Sequence, residues 1–250
     1  MSIISEIRCS NCGAPLEFKP GEIVATCRYC GYTVVIETGK AFTLEHSMFL
    51  NEYNQVQIDG LIFTWMRTGF LKPSDLAKKS KIIEKNLVYL PFWIIPVTAT
   101  TVYKGIFERI TPPLIKEGKV EKKYEWLVLA RKATRFPTRE YNVPLKGKIP
   151  YDFRKIENYA KVLNSEIDGK EALEIAKKEI ESYHQFFVNK DVDRIIEIKT
   201  ELQIGDIVYL HAPIWFITYE YKNNRYNILL DGATGTVIKG DIPTPSFSLF

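Results

Sequence analysis

The 250 residues are 46% apolar and 26% charged, with a formal net charge of +4. These are ordinary values for a globular chain with a sizeable core, and they exclude a disordered or collagen-like polypeptide. The longest apolar stretch, Leu87 to Ala99, is about 13 residues and contains Pro91 and Pro96, whereas a membrane-spanning helix needs about 20.

The N-terminus, MSIISEIRCSNC, lacks the apolar run of a signal peptide, so a cytoplasmic protein is expected. All four cysteines follow at once: Cys9, Cys12, Cys27 and Cys30. Each pair has the spacing C-x2-C and is followed by a glycine, Gly13 or Gly31. A two-residue gap lets one tight turn present two sulfurs to one ion, and zinc takes four such ligands about 2.3 Å away. Glycine tolerates the positive φ of the knuckle and lets backbone N–H groups face the thiolates. Between the pairs the chain reads as strand (LEF), turn (Pro20-Gly21) and strand (EIVAT), and YTVVIE supplies a third strand. The pattern is a zinc ribbon over residues 1–38. Two disulfides or a rubredoxin-like iron are the alternatives; disulfides would suit an oxidising compartment, which nothing else in the sequence suggests. Four cysteine ligands close the site to water and substrate, which makes a single Zn2+ structural and the source of the unit's folding energy.

Thr38-Gly39-Lys40 reads as a hinge, followed by an α+β body over residues 42–250 with possible halves 42–150 and 151–250. Ile58, Leu61, Ile62, Trp65 and Met66 mark one face of a helix ending near Gly69. Ser74 or Asp75 caps a second short helix carrying Leu76, Ile82 and Ile83. NLVYLPFWIIPVTATTVY is a long strand whose prolines imply an edge, a bulge or a bend. Residues 120–136 alternate like a strand, and 153–163 form a helix through Ile156, Tyr159, Ala160 and Leu163. The clearest helix runs from Gly169 to Phe187, with Asp168 as N-cap and Glu171 completing a capping box. Its buried stripe is Ala172, Ile175, Ala176, Ile180, Tyr183 and Phe187. Strands at 192–202, 207–221, 225–230 and 234–239 follow, with turns at Asn223-Asn224 and Asp231-Gly232.

VYLPFWIIPVTATTVY (88–103) echoes VYLHAPIWFITYEYKN (208–223), and a helix precedes each. Two related helix-plus-strands halves are expected, with Trp93 and Trp215 both buried.

CSNCGAPLEFKPGEIVATCRYCG resembles a TFIIB-type zinc ribbon. Together with FLKPSDLAKK, VYLPFWIIPVTATTVYKG and APIWFITYEYKNNRYNILLDGATGTVIKGDIP, it resembles a poorly characterised family of zinc-ribbon-containing proteins often labelled as primosomal-helicase-related. The resemblance implies that Cys9, Cys12, Cys27 and Cys30 are the metal ligands, and it carries no catalytic residues. The segment from the Gly169 helix to DGATGTV is similar to a PepSY domain in shape. The helicase label finds no support: no Gly-Lys pair is followed by Ser or Thr, so there is no phosphate loop.

No cysteine lies outside the ribbon, and no G-x-S-x-G elbow is present. His46, His184 and His211 read as structural, and a catalytic role is not expected. Charge, however, is uneven. Residues 116–155 hold 12 basic and 5 acidic side chains, net +7, and residues 156–250 hold 10 and 15, net −5. Arg131, Lys132, Arg135 and Arg139 are the candidate phosphate contacts. The bland alternative is that the acidic third neutralises this block. Two function classes follow: a non-catalytic binder of nucleic acid or a nucleoprotein such as a ribosome or transcription complex, or a protein–protein adaptor. The ribbon itself is net −1, which weakens the first class for that unit.

Overall fold

The computed structural model describes residues 8–17, 22–35, 46–69, 71–132, 134–143 and 145–243. The expected Pro20-Gly21 turn, the Thr38-Gly39-Lys40 hinge and the ends of the LEF and YTVVIE strands lie outside the described residues. The elements, in chain order, are β1 (Val24–Thr26), β2 (Thr33–Val35), β3 (His46–Met48), α1 (Gln55–Arg67), α2 (Leu76–Lys79), β4 (Lys81–Phe107), β5 (Leu114–Leu129), β6 (Ile149–Pro150), β7 (Lys161–Val162), α3 (Gly169–Asp191), β8 (Arg194–Ile204), β9 (Val208–Tyr221), β10 (Asn224–Asp231) and β11 (Val237–Gly240). The fold is mixed α+β: a small β1–β2 ladder and a nine-stranded mixed sheet with few helices.

The spine of the large sheet is β4. Along one side it pairs with β9 and then β8; along the other, with β7 and then β5. Proline lacks the N–H a ladder needs, so an edge, a bulge or a bend is expected where it falls. The prolines instead sit inside the sheet, at seams where a strand changes partner. Pro91 falls between the β7 pairing, which ends at Tyr89, and the β5 pairing, which begins at Phe92. Pro96 falls between the end of β9 pairing at Ile94 and the start of β8 pairing at Val97. Pro213 of β9 falls between β3 and β10. At each seam the proline carbonyl is still used: Pro91 O accepts from Ala130 N, Pro96 O from Gly205 N and Pro213 O from Gly232 N, at 2.7–2.9 Å.

Along one face of the sheet, Tyr89, Trp93, Tyr209, Trp215 and Ile217 meet the helices. α1 buries Ile58, Ile62 and Met66 over Leu87, Tyr89 and Trp215. α3 buries Ala172, Ala176 and Ile180 over Trp93, Ile95 and Tyr209. The opposite face packs Leu90, Phe92, Ile94, Leu210 and Ile214 against Phe49 and Tyr141. Both tryptophans are buried, at 1% and 0% exposure. Their strands are antiparallel neighbours, with Pro91 opposite His211, the fourth residue of each echo segment. Each tryptophan lies under the helix that precedes the other strand.

α1 starts as its sequence dictates. Asn54 Oδ1 accepts from the N–H of Val56 and Gln57, and Asn54 N donates in return to Gln57 Oε1. Other expectations need correction. α2 holds Leu76, but Ile82 and Ile83 begin β4, because Ser80 leaves the helix in an extended conformation. β5 ends at Leu129, well before Pro137, and begins earlier than the alternation suggested. Residues 153–163 are not a helix. A 3-10 turn at Phe153–Lys155 gives way to β7, because Lys161 and Val162 are captured as a parallel strand beside Val88 and Tyr89. α3 continues to Asp191, and His184 and Val188 take the inward positions assigned to Tyr183 and Phe187. Asp168 caps α3 through Glu171 N, but the Glu171 side chain pairs with Lys132. The β9–β10 turn is Lys222-Asn223, both with positive φ, one residue earlier than expected. No helix among the described residues is long and apolar enough to cross a membrane.

Candidate metal centre and its seat on the sheet

The two knuckles are built alike. Gly13 N donates to Cys9 O and Gly31 N to Cys27 O, at 2.8 and 2.9 Å. Both glycines have positive φ, +73° and +74°, which a side chain would disfavour. Cys9 N and Cys27 N close the turns on Ala14 O and Tyr32 O. The four sulfurs come together as a result. Cys9 Sγ lies 3.6 Å from Cys30 Sγ, and Cys12 Sγ lies 3.6 Å from Cys27 Sγ. All four ligand atoms are within 4.8 Å of one another. Tetrahedral zinc with bonds of about 2.3 Å would set its sulfurs about 3.8 Å apart, so the donor set fits one structural zinc-type ion. The cysteines are free thiols, with sulfurs far beyond disulfide bonding distance. Cys30 is raised by burial but brought down to about 7 by the Asn11 side chain and the Tyr32 N–H. Cys12 is favoured as thiolate by the Ala14 N–H, yet its sulfur neighbours push it up to about 12. Four thiols this close cannot all ionise without a cation among them.

This unit sits against the sheet, where Val24 joins the cluster of Trp93 and Tyr209. Ser165 receives β1: Ile23 N and Val24 N donate to Ser165 O, and Ser165 N donates to Val24 O, at 2.9–3.2 Å. Beside this contact lies a buried ion triad. Arg131 Nη1 holds Glu22 at 2.9 Å and Nη2 holds Glu166 at 2.8 Å, with side-chain exposures of 10%, 4% and 13%. Asn164 adds a bond to Glu22 at 2.9 Å.

A second connection runs through two histidines. Thr33 Oγ1 lies 2.9 Å from His46 Nδ1, His46 Nε2 lies 2.8 Å from His211 Nδ1, and His211 Nε2 lies 2.8 Å from Leu163 O. A carbonyl only accepts, so His211 donates from Nε2, and neutral His211 accepts at Nδ1 from His46 Nε2–H. His46 Nδ1 then accepts from the Thr33 hydroxyl. The network thus assigns both tautomers and gives the chain of bonds one direction. Tyr151 stacks on His46 at 4.1 Å. Burial lowers His211 to about 4, and burial with the neighbouring His211 charge lowers His46 well below its usual value.

The sign of the pH effect follows. Unfolded histidine titrates near 6.5. Below that pH the unfolded chain binds protons that the fold refuses, so stability falls with acid down to about pH 4. His211 alone contributes a loss of about 2 kcal/mol between pH 6.5 and pH 5. Urea midpoints at pH 7 and pH 5 measure it, with His211→Gln expected to shrink the difference. Equal midpoints in the parent protein would show that His211 charges inside the fold.

The remaining sequence candidates separate. Lys132 pairs with Glu171 at 2.8 Å. Arg139 pairs with Glu179, donates to Leu127 O at 3.0 Å and covers the Trp126 ring at 3.7 Å. Arg135 is exposed. So Arg131, Lys132 and Arg139 are each ion-paired, and of the carboxylates named only Glu22 lies outside the acidic last third. His184 is buried between Thr101 Oγ1 at 2.8 Å and Tyr124 Oη at 3.0 Å. Asp231 is buried and organises its own turn through Ala233 N and Thr234 Oγ1. Sequence reasoning missed the Glu22–Arg131–Glu166 triad and the Thr33–His46–His211 chain, since spacing along the chain gives no sign of either. No protein family, curated protein or solved structure matches the chain.

Proposed function

We propose that the protein is a non-catalytic protein–protein adaptor, in which a structural zinc ribbon is fixed on a body of two related halves. The observation that carries this reading is the internal pairing of Arg131, Lys132 and Arg139. A phosphate-binding surface works by releasing counterions from unpaired cations; Arg131 is locked between two buried carboxylates, and Lys132 and Arg139 would have to exchange the surface carboxylates they already hold. The second knuckle offers a different surface. Tyr29 is 65% exposed between Arg28 and Cys30, on a turn held by metal ligands on both sides. A rigid exposed tyrosine gives contact area with little loss of freedom, which suits a protein partner. The resemblance to TFIIB-type ribbons supports the same picture of a docking unit, and the arrangement about Pro91 and His211 supports the two-halves reading.

Gel filtration with and without nuclease, reading the 260/280 absorbance ratio, tests the proposal. The expected result is an unchanged elution volume and the ratio of a protein free of nucleic acid. A nuclease-sensitive shift would favour the nucleic-acid reading instead. In that case Lys132→Gln, Arg135→Gln and Arg139→Gln together should flatten the salt dependence by up to about three units. Arg131 is left out of that set because its loss strands two buried carboxylates.

A further inference from the structure

We propose that the outer edge of β5 is a self-association surface, on which a second copy of this chain pairs antiparallel through the same strand. β5 is 16 residues long and pairs only with β4 among the described strands. A long unpaired edge is normally blocked by isolated lysines, prolines or bulges. This one has no proline, and its lysines are interleaved with glutamates: Lys116, Glu117, Lys119, Glu121, Lys122, Lys123 and Glu125.

The geometry narrows the pairing. Two copies joined edge to edge in one sheet are related by a two-fold axis perpendicular to it, which keeps each residue on its own face. Opposed residues in an antiparallel pair also share a face. Only registers centred on a residue satisfy both conditions. Centred on Lys119, the pairing sets Lys119 against itself and Glu117 against Glu121. Centred on Glu121, it sets Glu121 against itself and Lys119 against Lys123. Centred on Lys122, it opposes two lysines. Centred on Gly118, it offers only the Glu117–Lys119 pairs. Centred on Val120, it sets Lys119 against Glu121 and Glu117 against Lys123, twice each. Val120 then meets its own copy, and no like charges are opposed. Glu117, Lys119, Glu121 and Lys123 are all exposed and share the sheet face opposite α3, so their side chains are within reach of a strand paired at this edge. The ion pairs Lys104–Glu117 and Lys119–Glu121 are surface pairs that exchange at little loss. The pairing stops at Trp126, because Arg139 already occupies Leu127 O. Opposite charges directly across an antiparallel pair stabilise it, and like charges destabilise it.

Sedimentation equilibrium of the full chain over a range of concentrations tests the surface. The expected result is a monomer–dimer equilibrium that Lys119→Glu weakens by about tenfold or more, since it places two glutamate pairs in opposition. Adding Glu121→Lys to that variant restores the opposite-charge match and should restore the dimer. The independent pair Lys123→Glu, then Lys123→Glu with Glu117→Lys, should repeat the loss and the rescue. All four positions are exposed, and circular dichroism checks that each variant folds. A strictly monomeric parent protein, or a dimer indifferent to both charge reversals, overturns the proposal.

Discussion

Replacing Trp215 with alanine is expected to destabilise the body by about 3–5 kcal/mol, the usual loss for emptying a large buried aromatic site. For a chain of this size that is roughly 6–20 °C in thermal midpoint. Trp215 is fully buried, pairs across the sheet with Leu87 and Leu230, and lies under Ile58 and Ile62 of α1. Its indole N–H donates to Asn51 Oδ1 at 2.8 Å. Trp215→Phe keeps a ring in place and loses chiefly that bond, a loss of about 1 kcal/mol before packing is counted. Trp93 is the counterpart under α3, with its indole N–H on Ile167 O at 3.2 Å. Trp93→Ala should therefore cost about as much as Trp215→Ala. The two rings belong to separate clusters, so the double variant should show close to the sum. Denaturant melts give all three values. A loss below about 1 kcal/mol at either site would mean that the ring is not a core element.

Cys27→Ser should disorder residues 8–35 and also weaken the sheet beneath them. Three sulfurs hold a zinc-type ion poorly, and a unit this small has little else to fold around. A ribbon and a body that were separate units would leave the body largely intact, because it has its own apolar core. The seat of the unit argues otherwise. Unfolding it removes Glu22 from Arg131, Thr33 from His46, and the β1 backbone from Ser165. Breaking a buried, paired charge typically costs about 3–5 kcal/mol. Retention of Glu166 on Arg131 places the expected effect at the lower end, a drop of roughly 6–12 °C in the body's midpoint. A chelator should produce the same shift, and added zinc should reverse it. An unchanged body midpoint would mean that the two units fold independently.

The parts of the fold legible in the sequence were those set by local rules. The paired knuckles followed from C-x2-C-G spacing, α1 from its apolar period, and the start of α3 from Asp168. The burial of Trp93 and Trp215 followed from the echo. The errors share one cause, tertiary capture of short segments. Lys161 and Val162 became a strand because β4 offered an open edge beside Val88 and Tyr89. Pro91 and Pro96 lie inside the sheet because partners change at those residues, which no single-strand rule describes. His184 entered the core over Tyr183 because Thr101 and Tyr124 satisfy both ring nitrogens. Net charge marks residues 116–155 as basic, but the carboxylates beside Arg131, Lys132 and Arg139 come from segments distant in sequence, so net charge could not reveal the pairing.

A metal-held unit seated on the sheet is tested most directly by elemental analysis of the purified protein, combined with a thiol count. The prediction is about one equivalent of zinc per chain, with the four thiols becoming reactive only after a chelator is added. Iron as the sole metal, or disulfides joining Cys9, Cys12, Cys27 and Cys30, would contradict it.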